Sequence, residues 1–277
     1  MLSRATLRRY AAFPFIRTRT FTTSRSKQPE DVVPQYFEGR LEPNAPSHQC
    51  YILLHSSQSP TEFPSVHKTP LSQELQARAT QWGGLVNFAW SEDLEKSSSS
   101  EGQAATVFSH SGGRLEIPHV SLKNVEEVTK LIEKHLQCHQ TEPTPEEVHF
   151  YVCTHGARDC RCGDRGLAVY NALVSSVKSA REKEPSGPAS RIKVAEVGHV
   201  GGHKFAANVL YFPQGEWLGL VKPEDAPSLV ARACEDLKKG AKPLGTTDMP
   251  AFPAHWRGRM GLTKEEQKEL HATFQTP

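Results

Sequence analysis

The 277-residue sequence lacks any apolar run long enough to cross a bilayer. The longest nearly uncharged apolar stretch, at 166–177, falls well short of the roughly 18 to 20 residues that a membrane helix needs. Aromatic residues make up only 8% of the chain, hydrophobic residues 37%, and the mean hydropathy is -0.53. The sequence therefore predicts a soluble, loop-rich globular protein with a core of its own and no membrane span.

Acidic residues are absent from the first 29 positions, which carry seven basic residues and many serines and threonines. This composition is typical of a mitochondrial transit peptide. The segment at 19–24, RTFTTS, is similar to the recognition pattern for two-step presequence processing. A disordered basic tail is the alternative. We therefore predict a transit peptide at 1–29 and a mitochondrial location, in the matrix.

The rest of the chain lacks an excess of basic charge. Residues 30–277 carry 26 basic against 31 acidic groups, a net charge of -5. A nucleic-acid backbone is bound by clustered lysines and arginines, and no such stripe is present. Nucleic acid is therefore not expected as a partner.

The two halves of the remaining chain have the same order of predicted elements: strand, helix, strand, hairpin and helix. In the first half these elements fall at 50–54, 71–82, 85–90, 105–109 with 114–120, and 125–136. In the second half they fall at 148–153, 167–182, 192–197, 209–212 with 217–221, and 226–239. The order predicts an α/β fold of two thioredoxin-like α/β sandwich domains.

Composition and turn residues set the predicted domain boundaries. We predict a flexible lead at 30–47, an N-terminal thioredoxin-like domain at 48–137, a linker at 138–147, a second thioredoxin-like domain at 148–240, and a tail at 241–277. A capping-box pattern from Thr263 to Glu266 predicts a short helix in the tail.

Cysteine is scarce, and three of the six cysteines lie in one segment, CTHGARDCRCG at 153–163. Thiols in the matrix stay mostly reduced, so this spacing indicates metal binding or redox chemistry. His199 and His203, in HVGGH, follow the next predicted strand. If the two strands are parallel, both loops emerge at the same edge of the sheet, and four ligands can converge there.

The spacing excludes two common sites. Thioredoxin-type dithiol chemistry requires Cys-x-x-Cys, but Gly156 stands three positions after Cys153. A metalloprotease helix also places two histidines four apart, but the two glycines between His199 and His203 favour a loop, and no adjacent glutamate supplies a base.

These motifs resemble the sucrase/ferredoxin-like family, in particular its mitochondrial branch named for altered inheritance rate of mitochondria. The resemblance covers residues 48–260 and is carried by CTHGARDCRCG and HVGGHKFAANVLYFPQGEW, with the transit-like start. In the family's thioredoxin-like ferredoxin part, two cysteines and two ligands four apart hold a 2Fe-2S cluster, and this branch has histidines in the second pair. The resemblance implies Cys153, Cys162, His199 and His203 as ligands of the cofactor, while Cys160 is not required.

Histidine ligation makes the implied cluster easier to reduce. An oxidised core with two thiolates and two neutral imidazoles has no net charge, whereas four thiolates leave a charge of about -2. Rieske centres accordingly lie at about -150 to +300 mV, against about -400 mV for plant-type clusters. Imidazole ligands can exchange a ring proton, so reduction is expected to be coupled to protonation. The resemblance thus implies an electron-transfer protein with an unidentified redox partner protein, rather than an enzyme with its own substrate.

Two alternatives remain open. Two cysteines and two histidines also form a standard zinc site, which would make the protein a structural interaction module. A thiol-disulfide oxidoreductase could use Cys160 with Cys162 or Cys153, although thioredoxin-fold enzymes place a cis-proline before the third strand, where residues 205–208 are FAAN.

The first half has no matching ligands, because Leu54-His55-Ser56 stands where the cysteine loop would begin, and it would act as a scaffold or docking surface.

Overall fold

The computed structural model describes residues 35–95, 102–138 and 147–275. The predicted transit peptide at 1–29 and most of the predicted linker at 138–147 lie outside these ranges, and the division into domains stays a prediction.

The described residues contain nine strands and six helices. The strands are β1 Cys50–His55, β2 Gly84–Trp90, β3 Gln103–Ser109, β4 Gly113–Val120, β5 Val148–Cys153, β6 Ile192–Val197, β7 Val209–Phe212, β8 Glu216–Leu218 and β9 Trp256–Arg259. The helices are α1 Pro70–Ala79, α2 Glu92–Glu95, α3 Val125–Gln137, α4 Cys160–Lys183, α5 Ala226–Lys239 and α6 Lys264–Gln275. No helix among them is both long and apolar enough to span a membrane.

Both halves have the strand order of a thioredoxin-like sheet. In the first half the order is β4-β3-β1-β2, with β1 and β2 parallel and the β3–β4 hairpin antiparallel. In the second half β8-β7-β5-β6 repeats this arrangement, with β5 and β6 parallel. The predicted α/β class and the repeat of thioredoxin-like units are therefore confirmed.

The two halves share one nine-stranded sheet. An antiparallel pairing of Ala89 with Val197 and Trp90 with Glu196 joins β2 to β6. Each half packs its helices on one face, α1 and α3 in the first and α4 and α5 in the second. The opposite faces form an inner core between the halves, in which the rings of Phe108 and Phe212 stack at 4.3 Å. The described residues between 35 and 275 accordingly belong to one compact unit.

Helix α4 and strand β9 are among the elements that differ from the sequence prediction. Helix α4 begins at Cys160 instead of 167, because the Asp159 side chain accepts a hydrogen bond from the Arg161 amide and caps the helix. The tail contributes β9, which pairs with β8. The charged sequence of β9, WRGR, lacks the pattern of apolar residues that predicts a strand. A buried ion pair of 2.9 Å between Arg259 and Glu216 compensates the charge of Arg259.

The helix predicted in the tail is confirmed as α6. The Thr263 amide donates to Glu266 Oε2 at 2.7 Å, and the Glu266 amide donates to Thr263 Oγ1 at 3.2 Å. These are the two reciprocal bonds of a capping box.

Candidate metal centre

Two loops of the second half meet at the carboxyl ends of β5 and β6. These parallel strands are in register, with Cys153 opposite Val197, so both chains leave the sheet at one edge. Cys153 is the last residue of β5, Cys162 lies in the first turn of α4, and His199 follows β6 by two residues. The expected convergence of the two loops is therefore present.

Three candidate ligands come together at this edge. The sulfurs of Cys153 and Cys162 and a ring nitrogen of His199 lie within 4.8 Å of one another. Cys162 Sγ and His199 Nδ1 are 3.8 Å apart. Both cysteines are fully buried and His199 is half-buried. Two sulfurs and an imidazole form a donor set that suits zinc or an iron–sulfur cluster.

His203 lies beside this group. Its side chain is 49% exposed, and its Nδ1 is 3.7 Å from Asp159 Oδ2. Its ring centroid is 5.8 Å from that of His199. His203 is thus next to the three converging groups rather than among them, and its role as a ligand stays a prediction.

Cys160 occupies a different position from the other two cysteines of its motif. It is the first residue of α4, it is exposed, and it does not belong to the group of three.

The two buried sulfurs differ in protonation. The hydrogen bond from the Cys162 thiol holds the pKa of Cys153 well below its ordinary value, and the His199 ring and the Val200 amide add to this effect against the opposing effect of burial. The same bond to Cys153, together with burial, raises the pKa of Cys162. Because the thiolate is the form that binds metal, the lowered pKa of Cys153 favours metal coordination by its sulfur.

His155 and Asp159 fix the first loop. His155 Nε2 donates to the Pro64 carbonyl at 2.8 Å, which leaves Nδ1 to accept the His199 amide at 3.4 Å. Asp159 receives two hydrogen bonds of 2.9 Å from the Arg161 guanidinium, which lower the pKa of its carboxyl. These contacts hold the two ligand loops to each other and to the first half.

Two glycines allow the close approach of backbone at the site. A Cβ on Gly166 would lie 2.0 Å from the Cys153 carbonyl oxygen, so α4 can pack directly against the end of β5 only without a side chain there. Gly202 has φ +67°, and its Cβ would lie 2.1 Å from Arg257 Nη2. Glycine at position 202 thus lets the HVGGH loop pack closely against Arg257.

Arg257 lies in this region although the sequence did not single it out. It lies on β9 and is 2% exposed, with Nη1 donating to Asn208 Oδ1 at 2.6 Å and to the Gly201 carbonyl at 3.4 Å. Burial lowers its pKa to about 10, while attraction to the two site cysteines raises it. No carboxylate of the described residues pairs with it. An arginine far along the chain carries no local pattern that would have marked it.

Comparison with known proteins agrees with this arrangement. Residues 41–258 match the sucrase/ferredoxin-like family. "Altered inheritance of mitochondria protein 32" of Meyerozyma guilliermondii is 32% identical over 111 residues, 39% of this chain and 36% of that protein. "Actin patches distal protein 1" of Saccharomyces cerevisiae is 35% identical over 91 residues, 31% of this chain and 29% of that protein. The matches thus span about a third of these relatives' lengths.

The chain is also weakly similar to a solved structure. The thioredoxin-like [2Fe-2S] ferredoxin from Aquifex aeolicus is 19% identical, with a TM-score of 0.28, and covers 43% of this chain and 99% of its own. The family match spans most of the present sequence and includes both ligand loops. The chain therefore belongs to the sucrase/ferredoxin-like family, as its motifs predicted.

Proposed function

We propose that this protein holds a 2Fe-2S cluster through Cys153, Cys162, His199 and His203 and serves in electron transfer and redox homeostasis. The observation that carries the proposal is the convergence of two buried sulfurs and an imidazole within 4.8 Å at one edge of the sheet. Membership of a ferredoxin-like family supports a redox role. When bound, the cluster would supply one-electron redox chemistry.

The four proposed ligands would have different roles because their burial differs. The two cysteines are fully buried and would keep water from the sulfur side of the site. The His203 side chain is exposed and that of His199 is half-buried, so a redox partner protein could approach on the histidine side. Imidazole ligands can exchange a ring proton, and Asp159 Oδ2 lies 3.7 Å from His203 Nδ1. Reduction would therefore be coupled to protonation on the histidine side.

Thiol–disulfide exchange is the second candidate, because a cysteine with a lowered pKa, Cys153, lies beside Cys162. Reactive cysteines are partly exposed, however, whereas both of these are fully buried. Cys160 is exposed but stands outside the group. The burial favours a metal site over exchange. Zinc would suit the same donors, so the metal itself must be measured.

A mitochondrial location is part of the proposal. Relatives of the chain are named for altered inheritance of mitochondria. The acid-free, arginine-rich composition of residues 1–29 supports import, and we propose the matrix as the destination.

Anaerobic purification of the full chain tests the proposed cofactor. We expect a brown protein with about two iron and two acid-labile sulfide per chain. Cys153→Ser should lose the colour and the iron, whereas Cys160→Ser, the matched control from the same loop, should keep both. A colourless protein that carries one zinc would contradict the proposal.

A further inference from the structure

A cleft of about 830 Å³ opens beside His199. One wall comes from the first half, from the segment at 63–77 and the start of β2. The other wall comes from the second half and includes His155, Arg158 and the loop at 198–200. The cleft thus begins at one proposed cluster ligand and runs between the halves.

The charges that line the cleft are all of one sign. Lys68 and Arg158 lie in its walls, both exposed, and no aspartate or glutamate of the described residues lines it. Within the described ranges neither side chain forms an ion pair. A second cavity, of about 670 Å³, differs in this respect, because Glu92, Asp93, Glu116 and Glu147 line it beside its basic residues. In a body whose net charge is -5, a carboxylate-free cleft with two unpaired cations favours anions.

Two amide side chains in the wall are already hydrogen-bonded within the protein. The Gln76 side chain is bonded to the backbone at Gly84 and Val86, and the Asn87 side chain to Tyr51 and Gly198. These amides need no ligand. Val66, by contrast, lies in the wall with 58% of its surface exposed and gives the cleft an apolar surface.

We propose that the cleft binds a small organic anion with an apolar body and one or two acidic groups such as carboxylates or sulfonates. Its acidic group would lie between Lys68 and Arg158, and its apolar body would cover Val66. The bound molecule would reach the edge of the His199 ring. Only that last consequence, contact with a cluster ligand, rests on the proposed function.

Equilibrium dialysis tests this proposal without interference from the colour of the protein. The probe is 8-anilino-1-naphthalenesulfonate, which joins an apolar body to one acidic group, and its neutral counterpart is N-phenyl-1-naphthylamine. For the anionic probe we expect Kd to rise about threefold in Lys68→Gln and in Arg158→Gln, and about tenfold in the double variant. The neutral probe should bind all variants alike, and Lys178→Gln, a matched change in the second cavity, should leave both probes unaffected.

Other outcomes would overturn the proposal. Failure of the wild type to bind the anionic probe, an unchanged Kd in the double variant, or an equal loss of the neutral probe would each show that the cleft does not select anions. Dialysis reports binding whether or not iron is present. Failure here would therefore leave the proposed cluster intact, and a colourless protein that still binds the probe would contradict only the cluster.

Discussion

Arg257 places a buried positive charge next to the proposed cluster site. Its guanidinium is held by Asn44, Asn208 and the Gly201 carbonyl, and it is attracted to the two cysteine sulfurs. A cation in a poorly solvated site stabilises negative charge on its neighbours. Arg257 should therefore make the site easier to reduce.

Replacement of Arg257 tests this electrostatic role. We expect Arg257→Gln to lower the reduction potential, by on the order of tens of millivolts, because the neutral amide no longer stabilises the added electron. Arg257→Lys, which keeps the charge, should recover part of the shift. The measurement is a redox titration followed by electron paramagnetic resonance. Equal potentials in the wild type and the glutamine variant would contradict this role.

His48 couples stability to pH. It lies in the inner core, where Nδ1 donates to the Pro46 carbonyl at 2.8 Å and Nε2 accepts from Trp217 Nε1 at 3.3 Å. Burial lowers its pKa from 6.5 to about 4. As the pH falls, the unfolded chain therefore binds a proton at His48 before the folded chain does. The free energy of unfolding falls as pH drops from about 6.5 to about 4, and His48 accounts for about 3 kcal/mol of that fall.

Urea unfolding at pH 7 and pH 5 measures this coupling. His48→Gln, which cannot titrate, should lose less stability between these two pH values than the wild type does. His119→Gln, a change at an exposed histidine, is the control and should behave as the wild type. The same pH dependence in all three proteins would exclude His48 as a source.

At the scale of elements, local sequence predicted most boundaries and missed those set by distant contacts. The ranges of β5, β6, β7 and α5 match their predictions, since each has strong periodicity and clear turn or cap residues at its ends. The strand β9 depends on pairing with β8 and on the Arg259–Glu216 ion pair, neither of which a local pattern reveals.

The site itself was predictable to a similar degree. The parallel order of β5 and β6 brought Cys153, Cys162 and His199 together as expected from the motif spacing. Its supporting residue Arg257 arrives through β9, so it could not be identified from the two loops alone.

The loop after β6 owes its shape to Gly202. We expect Gly202→Ala to destabilise the protein and reduce its iron content, because the methyl group would collide with Arg257 and the backbone has φ +67°. Gly201→Ala is the matched control: its φ is +84° but its Cβ would meet nothing within 4 Å. It should cost only about 1 kcal/mol of backbone strain. Urea unfolding and iron analysis measure both effects, and equal losses in the two variants would rule out the collision.

At the scale of the whole molecule, the repeat was predictable but the shared core was not. Each half shows its own strand and helix pattern, whereas the inner core joins residues far apart in sequence, such as Phe108 and Phe212. Periodicity identifies which residues face inward but not which remote face they meet. The contact between the halves therefore appeared only in the structure.

Phe108→Ala tests whether the halves depend on each other. Loss of this buried ring should lower the free energy of unfolding by about 3 to 5 kcal/mol, with both halves unfolding in one transition. Leu131→Ala, on the exposed face of α3, should change stability far less. Urea unfolding followed by far-UV circular dichroism and by tryptophan fluorescence provides the measurement. Two separate transitions in the wild type would contradict a cooperative inner core.

The most direct test of the central claim is pulsed electron paramagnetic resonance of the reduced, anaerobically purified protein. If two sulfurs and two imidazoles hold the cluster, the spectrum should contain hyperfine couplings from two histidine nitrogens. His203→Cys should remove one coupling and His199→Cys the other, while Cys160→Ser should leave both. A reduced cluster signal without nitrogen coupling, or no signal from a protein that carries zinc, would contradict the account.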